Sequence, residues 1–255
     1  MALPKITRRW VLPSLDGPSS LKLESIELVP PGPNQIVVKI PLPLPYVPLS
    51  DGAGVVAAVG ERVKNLRPGD KVFSVFKPAW RSGRQRREFG VSNLAGSDVQ
   101  GILSEYVMLD EEYWTPVPRN LTFVEASTLT VAGVTAWNAL YGLSDHQLRP
   151  GQSVLTEGTG GAMKTVKSDG LVTIVGFIAG LAEQQPSIVD MFFSMATFRS
   201  VHCGSLEHYS QMIAAIEQHD IKPHVDRIFG FEDVPAAYKY MSEQNFIGKI
   251  CISVE

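Results

Sequence analysis

The chain has 255 residues, 44% of them hydrophobic and 19% charged, with a formal net charge of −3. That balance fits a globular protein with a sizeable core and, lacking a basic stripe, excludes a nucleic-acid-binding protein. No stretch approaches the roughly 20 apolar residues of a membrane span, and the start, Met1-Ala2-Leu3-Pro4-Lys5-Ile6, carries no apolar run of signal-peptide length. A cytoplasmic protein without nucleic-acid or membrane partners is the expectation.

In chain order, residues 20–40 read as two strands around the turn Pro30-Pro31-Gly32-Pro33-Asn34. The second strand is Ile36-Val37-Val38-Lys39-Ile40. Four prolines among residues 41–48 exclude a helix or a central strand and leave an extended connector. Gly54-Val55-Val56-Ala57-Ala58-Val59 and Lys71-Val72-Phe73-Ser74-Val75-Phe76 are strand-like, with Arg67-Pro68-Gly69-Asp70 turning between them. Short strands with Gly/Pro turns at this spacing suggest a small barrel. Residues 77–100 read as a polar loop, whose Arg81, Arg84, Arg86 and Arg87 form a solvated basic cluster. Ser104 to Leu109 is a further strand.

The pattern changes at Thr122-Phe123-Val124-Glu125, a capping box that opens an apolar, helix-compatible run through Thr135-Ala136-Trp137-Asn138. Two continuous apolar strands follow, Ser153-Val154-Leu155-Thr156 and Leu171-Val172-Thr173-Ile174-Val175, of the kind found in covered parallel sheets. Ala162 to Lys167 reads as a very short helix. Residues 207–219 form an amphipathic helix, and 233–242 a second with Pro235 in its first turn. Ile250-Cys251-Ile252-Ser253-Val254 closes the chain as a strand.

Several of these runs resemble the medium-chain dehydrogenase/reductase superfamily, in the family's order. They are Pro48-Leu49-Ser50-Asp51-Gly52-Ala53-Gly54-Val55-Val56, Val59-Gly60, Pro68-Gly69-Asp70-Lys71-Val72 and Glu105-Tyr106-Val107. Gly133-Val134-Thr135-Ala136-Trp137, Gly158-Thr159-Gly160-Gly161, Ile221-Lys222-Pro223, Phe231-Glu232-Asp233-Val234 and Gly248-Lys249-Ile250 continue the match. The resemblance is to zinc-free, quinone oxidoreductase-like members. It implies an α/β plus β fold: a GroES-like β-barrel catalytic domain joined to a Rossmann-like nucleotide-binding domain. On this chain the barrel takes residues 1–121, a truncated Rossmann-like parallel-sheet domain takes 122–224, and 225–255 return to the barrel domain. It also implies hydride transfer from NADP, or from NAD, to a small carbonyl, enone or quinone.

Two glycine motifs compete for the dinucleotide. Gly52-Ala53-Gly54 matches G-x-G nominally, but a strand rather than a helix follows, so these glycines read as a turn and a close packing point. Gly158-Thr159-Gly160-Gly161 follows an expected strand, where backbone N–H groups at a helix start can bind pyrophosphate. A plain strand-to-helix turn is the alternative there. Thr135 lies near the nicotinamide in similar enzymes, or else bonds its own helix backbone. Gly176, Phe177 and Ile178 sit at the carboxyl end of a parallel strand, where open α/β sheets bind ligands, or form a buried turn. Lys249 approaches the cofactor in relatives, or is solvated. No catalytic residue is identified. A metal is not expected: there is no Gly-His-Glu segment, no four-cysteine lobe, and His202-Cys203 would point to opposite strand faces. Cys203 and Cys251 read as buried thiols in a reducing compartment.

Spacing also shows what is missing. A parallel crossover needs at least about 10–12 residues, and only Ala162 to Gly170 separate the glycine loop from the next strand. The strand carrying the residue that reads the adenosine ribose, about 20 residues beyond the glycines, has no room. Three functions therefore stay open: an NAD(P)H-dependent oxidoreductase, intact or impaired; a non-catalytic remnant or splice form lacking the adenosine pocket and substrate segment; and a cofactor-free ligand-binding barrel. Uncovered apolar sheet faces are expected, which a homodimer would cover.

Overall fold

The structure, a computed structural model, describes residues 5–11, 13, 18–30, 32–33, 35–39, 47–86, 93–95, 99–155, 165–176 and 187–254. Its elements run β1 (Ile6–Val11), β2 (Lys22–Glu27), β3 (Gln35–Lys39), β4 (Ala53–Val59), β5 (Lys71–Ser74), β6 (Val107–Asp110) and β7 (Trp114–Pro116). There follow α1 (Phe123–Ser127), a π-helical turn (Leu129–Gly133), α2 (Val134–Tyr141), β8 (Leu171–Ile174), α3 (Ile188–Phe193) and β9 (Thr197–Ser200). The chain ends with α4 (Leu206–His219), β10 (Val225–Gly230), α5 (Val234–Glu243) and β11 (Lys249–Ser253). Two compact units result: Met1–Val134 together with Ser205–Glu255, and Thr135–Gly204.

The first unit is built on an antiparallel sheet of order β6-β3-β4-β5-β7, with β1 and β2 as a separate hairpin bridged to Ser104 through Arg9. The sheet stays open among the described residues. Its turns follow the expected chemistry. The Asp70 carboxylate accepts from the Arg67 N–H at 2.8 Å, and Gly69 supplies the positive φ of +98°. Gly60 lies where any Cβ would strike the backbone of Gly32 and Pro33. Val56, Leu66, Val72, Leu94, Ile102, Val107 and Trp114 form the core. The loop expected to be wholly polar contributes to it: Arg81, Arg84 and Arg86 are exposed, but Trp80 and Leu94 are fully buried. Gly52-Ala53-Gly54 leads into β4, not a helix, and Gly54 pairs with Val72 inside the sheet.

The capping box forms as read: Thr122 caps α1, and the Glu125 side chain returns to the Thr122 N–H. Pro235 occupies the first turn of α5. Parallel strands β10 and β11 close this unit, with Phe231 and Val234 packed beside Val47 and Leu103.

The second unit holds β8 and β9, paired in parallel from Leu171↔Thr197 to Ile174↔Ser200. The expected strand at residues 153–156 is corrected. Residues 153–155 carry no regular structure and are exposed. A strand exists only beside a partner, and among the described residues none lies there. Most of the expected short helix 162–167 lies outside the described residues. The cohesion of this unit comes from Asn138, whose side-chain N–H donates to the Cys203 carbonyl at 2.6 Å. Arg199 in turn donates to the Asn138 carbonyl and amide oxygens at 2.8 and 2.6 Å. Much of its apolar surface is uncovered: Val154, Leu155, Val175, Ile188, Val189, Phe192, Phe193 and Met195 are all exposed.

Candidate functional site

The turn at residues 47–52 is pinned from both sides. The Gly101 and Ile102 N–H groups donate to the carbonyls of Val47 and Leu49 at 2.7 and 2.8 Å, and the Val47 N–H donates to the Gln100 side chain at 2.7 Å. Gly101 permits this approach, since a Cβ there would meet the carbonyls of Val47, Pro48 and Leu49. The turn forces Leu49 to φ +66°, which costs a residue with a Cβ about 1–2 kcal/mol. Such strain persists where the surroundings over-determine it, and it clusters at functional sites.

Beyond Leu49 comes a net of hydroxyls. Ser50 donates to the Asp51 carboxylate at 2.5 Å. The Ser74 hydroxyl accepts from the Gly52 N–H at 3.0 Å and donates to the Ser50 carbonyl at 2.7 Å. Its single proton is thereby used, so in the 2.9 Å contact with Thr130 the Thr130 hydroxyl is the donor. Thr130 lies in the π-helical turn, a form that recurs at functional sites. The Tyr209 phenol, fully buried, donates to the Thr130 carbonyl and accepts from the Phe76 N–H at 3.2 Å. Tyr209 is placed by α4, whose Ser205–His208 capping box also sets the His208 ring edge-on to Trp80, centroids 5.8 Å apart.

Asp51 is the one carboxylate in this net. Asp51 is half-buried, and burial pushes its pKa above the ordinary value. The Ser50 hydroxyl, the Lys249 ammonium and the Val131 N–H oppose that rise. Lys249 opens β11. Its N–H donates to the His224 carbonyl at 3.1 Å after Gly248, held at φ +96°. Cys251, two residues on, has its thiol pushed up by burial and also senses Lys249 and Asp51.

The residues singled out from sequence fall as follows. Lys249 is half-buried in the first unit. Thr135 is buried in the second, and among the described residues its hydroxyl has no hydrogen-bond partner, its own helix included. Gly176 is exposed just past β8, with open space where a Cβ would stand. Gly158, Thr159, Gly160, Gly161, Phe177 and Ile178 lie outside the described residues. Ser50, Asp51, Ser74, Thr130 and Tyr209 were not singled out. The available signal was a carboxylate two residues before an apolar strand. Among the described residues no three His, Cys, Asp or Glu side chains cluster as metal ligands, and no helix is long and apolar enough to cross a membrane.

Known proteins give the arrangement a context. Residues 32–119 match the alcohol dehydrogenase GroES-like domain, and residues 138–252 match the zinc-binding dehydrogenase family. A zinc-type alcohol dehydrogenase-like protein of Schizosaccharomyces pombe is 29% identical over 292 aligned positions, covering 85% of this chain and 84% of the relative. Those positions outnumber the 255 residues of the whole chain, so the relative carries internal segments with no counterpart here. An NADPH-dependent alkenal/one oxidoreductase of Arabidopsis thaliana is 31% identical over 63% of this chain, and a quinone oxidoreductase of Mus musculus is 28% identical over 58%. The chain spans 43% and 44% of those two proteins. A crystal structure assigned to an alcohol dehydrogenase of Sinorhizobium meliloti 1021 superposes with a TM-score of 0.82 at 24% identity, covering 99% of this chain and 100% of that one. Family models, relatives and fold agree: the chain belongs to the medium-chain dehydrogenase/reductase superfamily of NAD(P)-dependent oxidoreductases.

Proposed function

We propose that the chain transfers a hydride between a nicotinamide dinucleotide and a small carbonyl, enone or quinone, as a cytoplasmic and zinc-independent enzyme. The observation that carries this reading is Thr135. A buried hydroxyl without a partner costs stability, and a ligand with a polar edge would remove that cost. In this reading Thr135 holds the carboxamide of the nicotinamide. Gly158, Thr159, Gly160 and Gly161 would hold the pyrophosphate through backbone N–H groups. Gly176, Phe177 and Ile178 would take part in holding the dinucleotide, and Lys249 would supply a cation to it. The dinucleotide, when bound, supplies the hydride; the chain orients it and excludes water. The relative named for NADPH and enones supports NADP ahead of NAD.

The missing internal segments favour a second reading, a non-catalytic remnant without an adenosine pocket, for which a homodimer would cover the apolar faces. Fluorescence titration with NADPH and NADH, repeated after chelation of divalent metals, separates the readings. Saturable binding that survives chelation supports the enzyme. Absence of saturation up to millimolar dinucleotide overturns it in favour of the remnant.

A further inference from the structure

We propose that Ser82 is a phosphorylation site, the acceptor of a basic-directed serine/threonine kinase, with Arg81 and Arg84 holding the phosphate once it is attached. The inference stands apart from the dinucleotide reading and lies wholly within the first unit. It gives a role to the basic cluster that hydride transfer leaves unused. Residues 81–86, Arg-Ser-Gly-Arg-Gln-Arg, are all exposed and belong to no helix or strand. Among the described residues the Ser82 hydroxyl makes no hydrogen bond and Arg84 no ion pair. Kinases with acidic substrate grooves select acceptors flanked by arginine through charge complementarity, and they need an accessible hydroxyl.

The turn is displayed from a fixed base. Trp80 is buried edge-on to His208, and its indole N–H donates to the Gly83 carbonyl at 3.1 Å. Gly83 takes φ +71°, so the chain turns sharply with Arg81 and Ser82 between the two bonded residues. Arg81 pairs with Glu112 at 3.0 Å, but both side chains are more than half exposed, which leaves the pair weak and open to exchange. A phosphate carries about −1.5 to −2 charges and three acceptor oxygens. It competes with Glu112 for Arg81 and gives Arg84 a partner. In the transfer the Ser82 oxygen bonds to the γ-phosphorus of a nucleoside triphosphate as that phosphorus leaves its bridging oxygen. The nucleoside diphosphate departs, and the hydroxyl proton passes to the kinase base. Thr7 and Thr197 also stand two residues before an arginine. Thr7 is buried, while Thr197 is bound into β9 and its Arg199 is held by Asn138. The consequence reaches α4. The Trp80 and Arg81 carbonyls accept from the Leu206 and Glu207 N–H groups, the first two of that helix, at 2.9 and 3.0 Å. A phosphate that ties the turn together therefore steadies the start of the helix that carries Tyr209.

The test treats the full chain with a basic-directed serine/threonine kinase and ATP, and reads phosphate by intact mass and peptide sequencing. Wild type is expected to take a phosphate at Ser82, S82A to take none, and R84Q to react about tenfold more slowly. Both substitutions alter exposed side chains, so unchanged melting temperatures are expected to show that the variants fold. In the phosphorylated chain, hydrogen exchange at the Leu206 and Glu207 amides is expected to slow about threefold, and to slow less in phosphorylated R84Q. No phosphate on the folded chain, or phosphate that S82A retains in full, overturns the site. Undiminished transfer to Ser82 in R84Q overturns recognition through the arginines. Unchanged exchange at both amides overturns the capture of the phosphate by Arg81 and Arg84.

Discussion

Removing the Thr135 hydroxyl breaks no hydrogen bond among the described residues. Thr135→Ala is therefore expected to be more stable than wild type by about 1 kcal/mol in urea unfolding, while its NADPH affinity falls about tenfold, the worth of one good hydrogen bond. An equal loss in stability and affinity would return Thr135 to an ordinary helix position. Asp51 shows the other kind of burial. Its folded pKa lies above its ordinary value of 3.8, so its protonated form is the better folded one. The stability that form contributes is full below about pH 3.8 and is lost as pH rises through the folded value. Asp51→Asn has no such loss. Its stability relative to wild type is expected to improve steadily from acid toward neutral pH in urea unfolding, and a gap independent of pH would contradict this. At this scale the resemblance pointed to Thr135 and Lys249. Asp51 was hidden, because a carboxylate between a serine and a glycine ordinarily lies in a solvated turn, and only tertiary packing encloses it.

Helix α2 ends where its own packing demands. Gly142 donates its N–H to the Asn138 carbonyl at 3.0 Å, and a Cβ at Gly142 would run into the Asn138 amide oxygen. That oxygen already accepts from Arg199. Gly142→Ala is thus expected to displace Asn138 from both Arg199 and Cys203, at about 1–3 kcal/mol. Hydrogen exchange should quicken in α2 and β9 and stay unchanged in β4 and β5; uniform quickening would place the damage elsewhere. Elements were legible where their signal is local. The Thr122–Glu125 capping box needs four residues and was readable as such, as was Pro235 in a first turn. The π-helical turn was not, since the Tyr209 phenol on its Thr130 carbonyl comes from 79 residues away. Nor was the fate of residues 153–155, since a strand depends on a neighbour that its own sequence does not specify.

At the scale of the molecule, the first unit has a closed account of its core, and the second does not. Phe192 and Phe193 of α3 are 77% and 72% exposed. Apolar side chains displayed together mark interaction sites or association hazards. Replacing both with serine is expected to lower dye binding and self-association in light scattering, and to shift the melting temperature by no more than about 1 °C, since few packed contacts are lost. A large drop in melting temperature would mean that these rings are packed after all. Much of this was legible in the spacing between the glycine loop and β8. The order of motifs carried the family, and the shortage of residues between Gly161 and Leu171 foretold apolar surface without cover. The arrangement around the missing crossovers was beyond reach, because absent residues leave no pattern to read.

The first unit is assembled from two stretches of chain, Met1–Val134 and Ser205–Glu255. During synthesis the ribosome must make the whole of Thr135–Gly204 before α4 emerges. At ordinary translation rates that pause lasts on the order of several seconds. Through that interval the Thr130 carbonyl awaits its phenol, and Val47 and Leu103 await Phe231 and Val234. The nascent first unit therefore keeps part of its core uncovered until residues 205–255 arrive, and a message cut short before α4 would leave that core open.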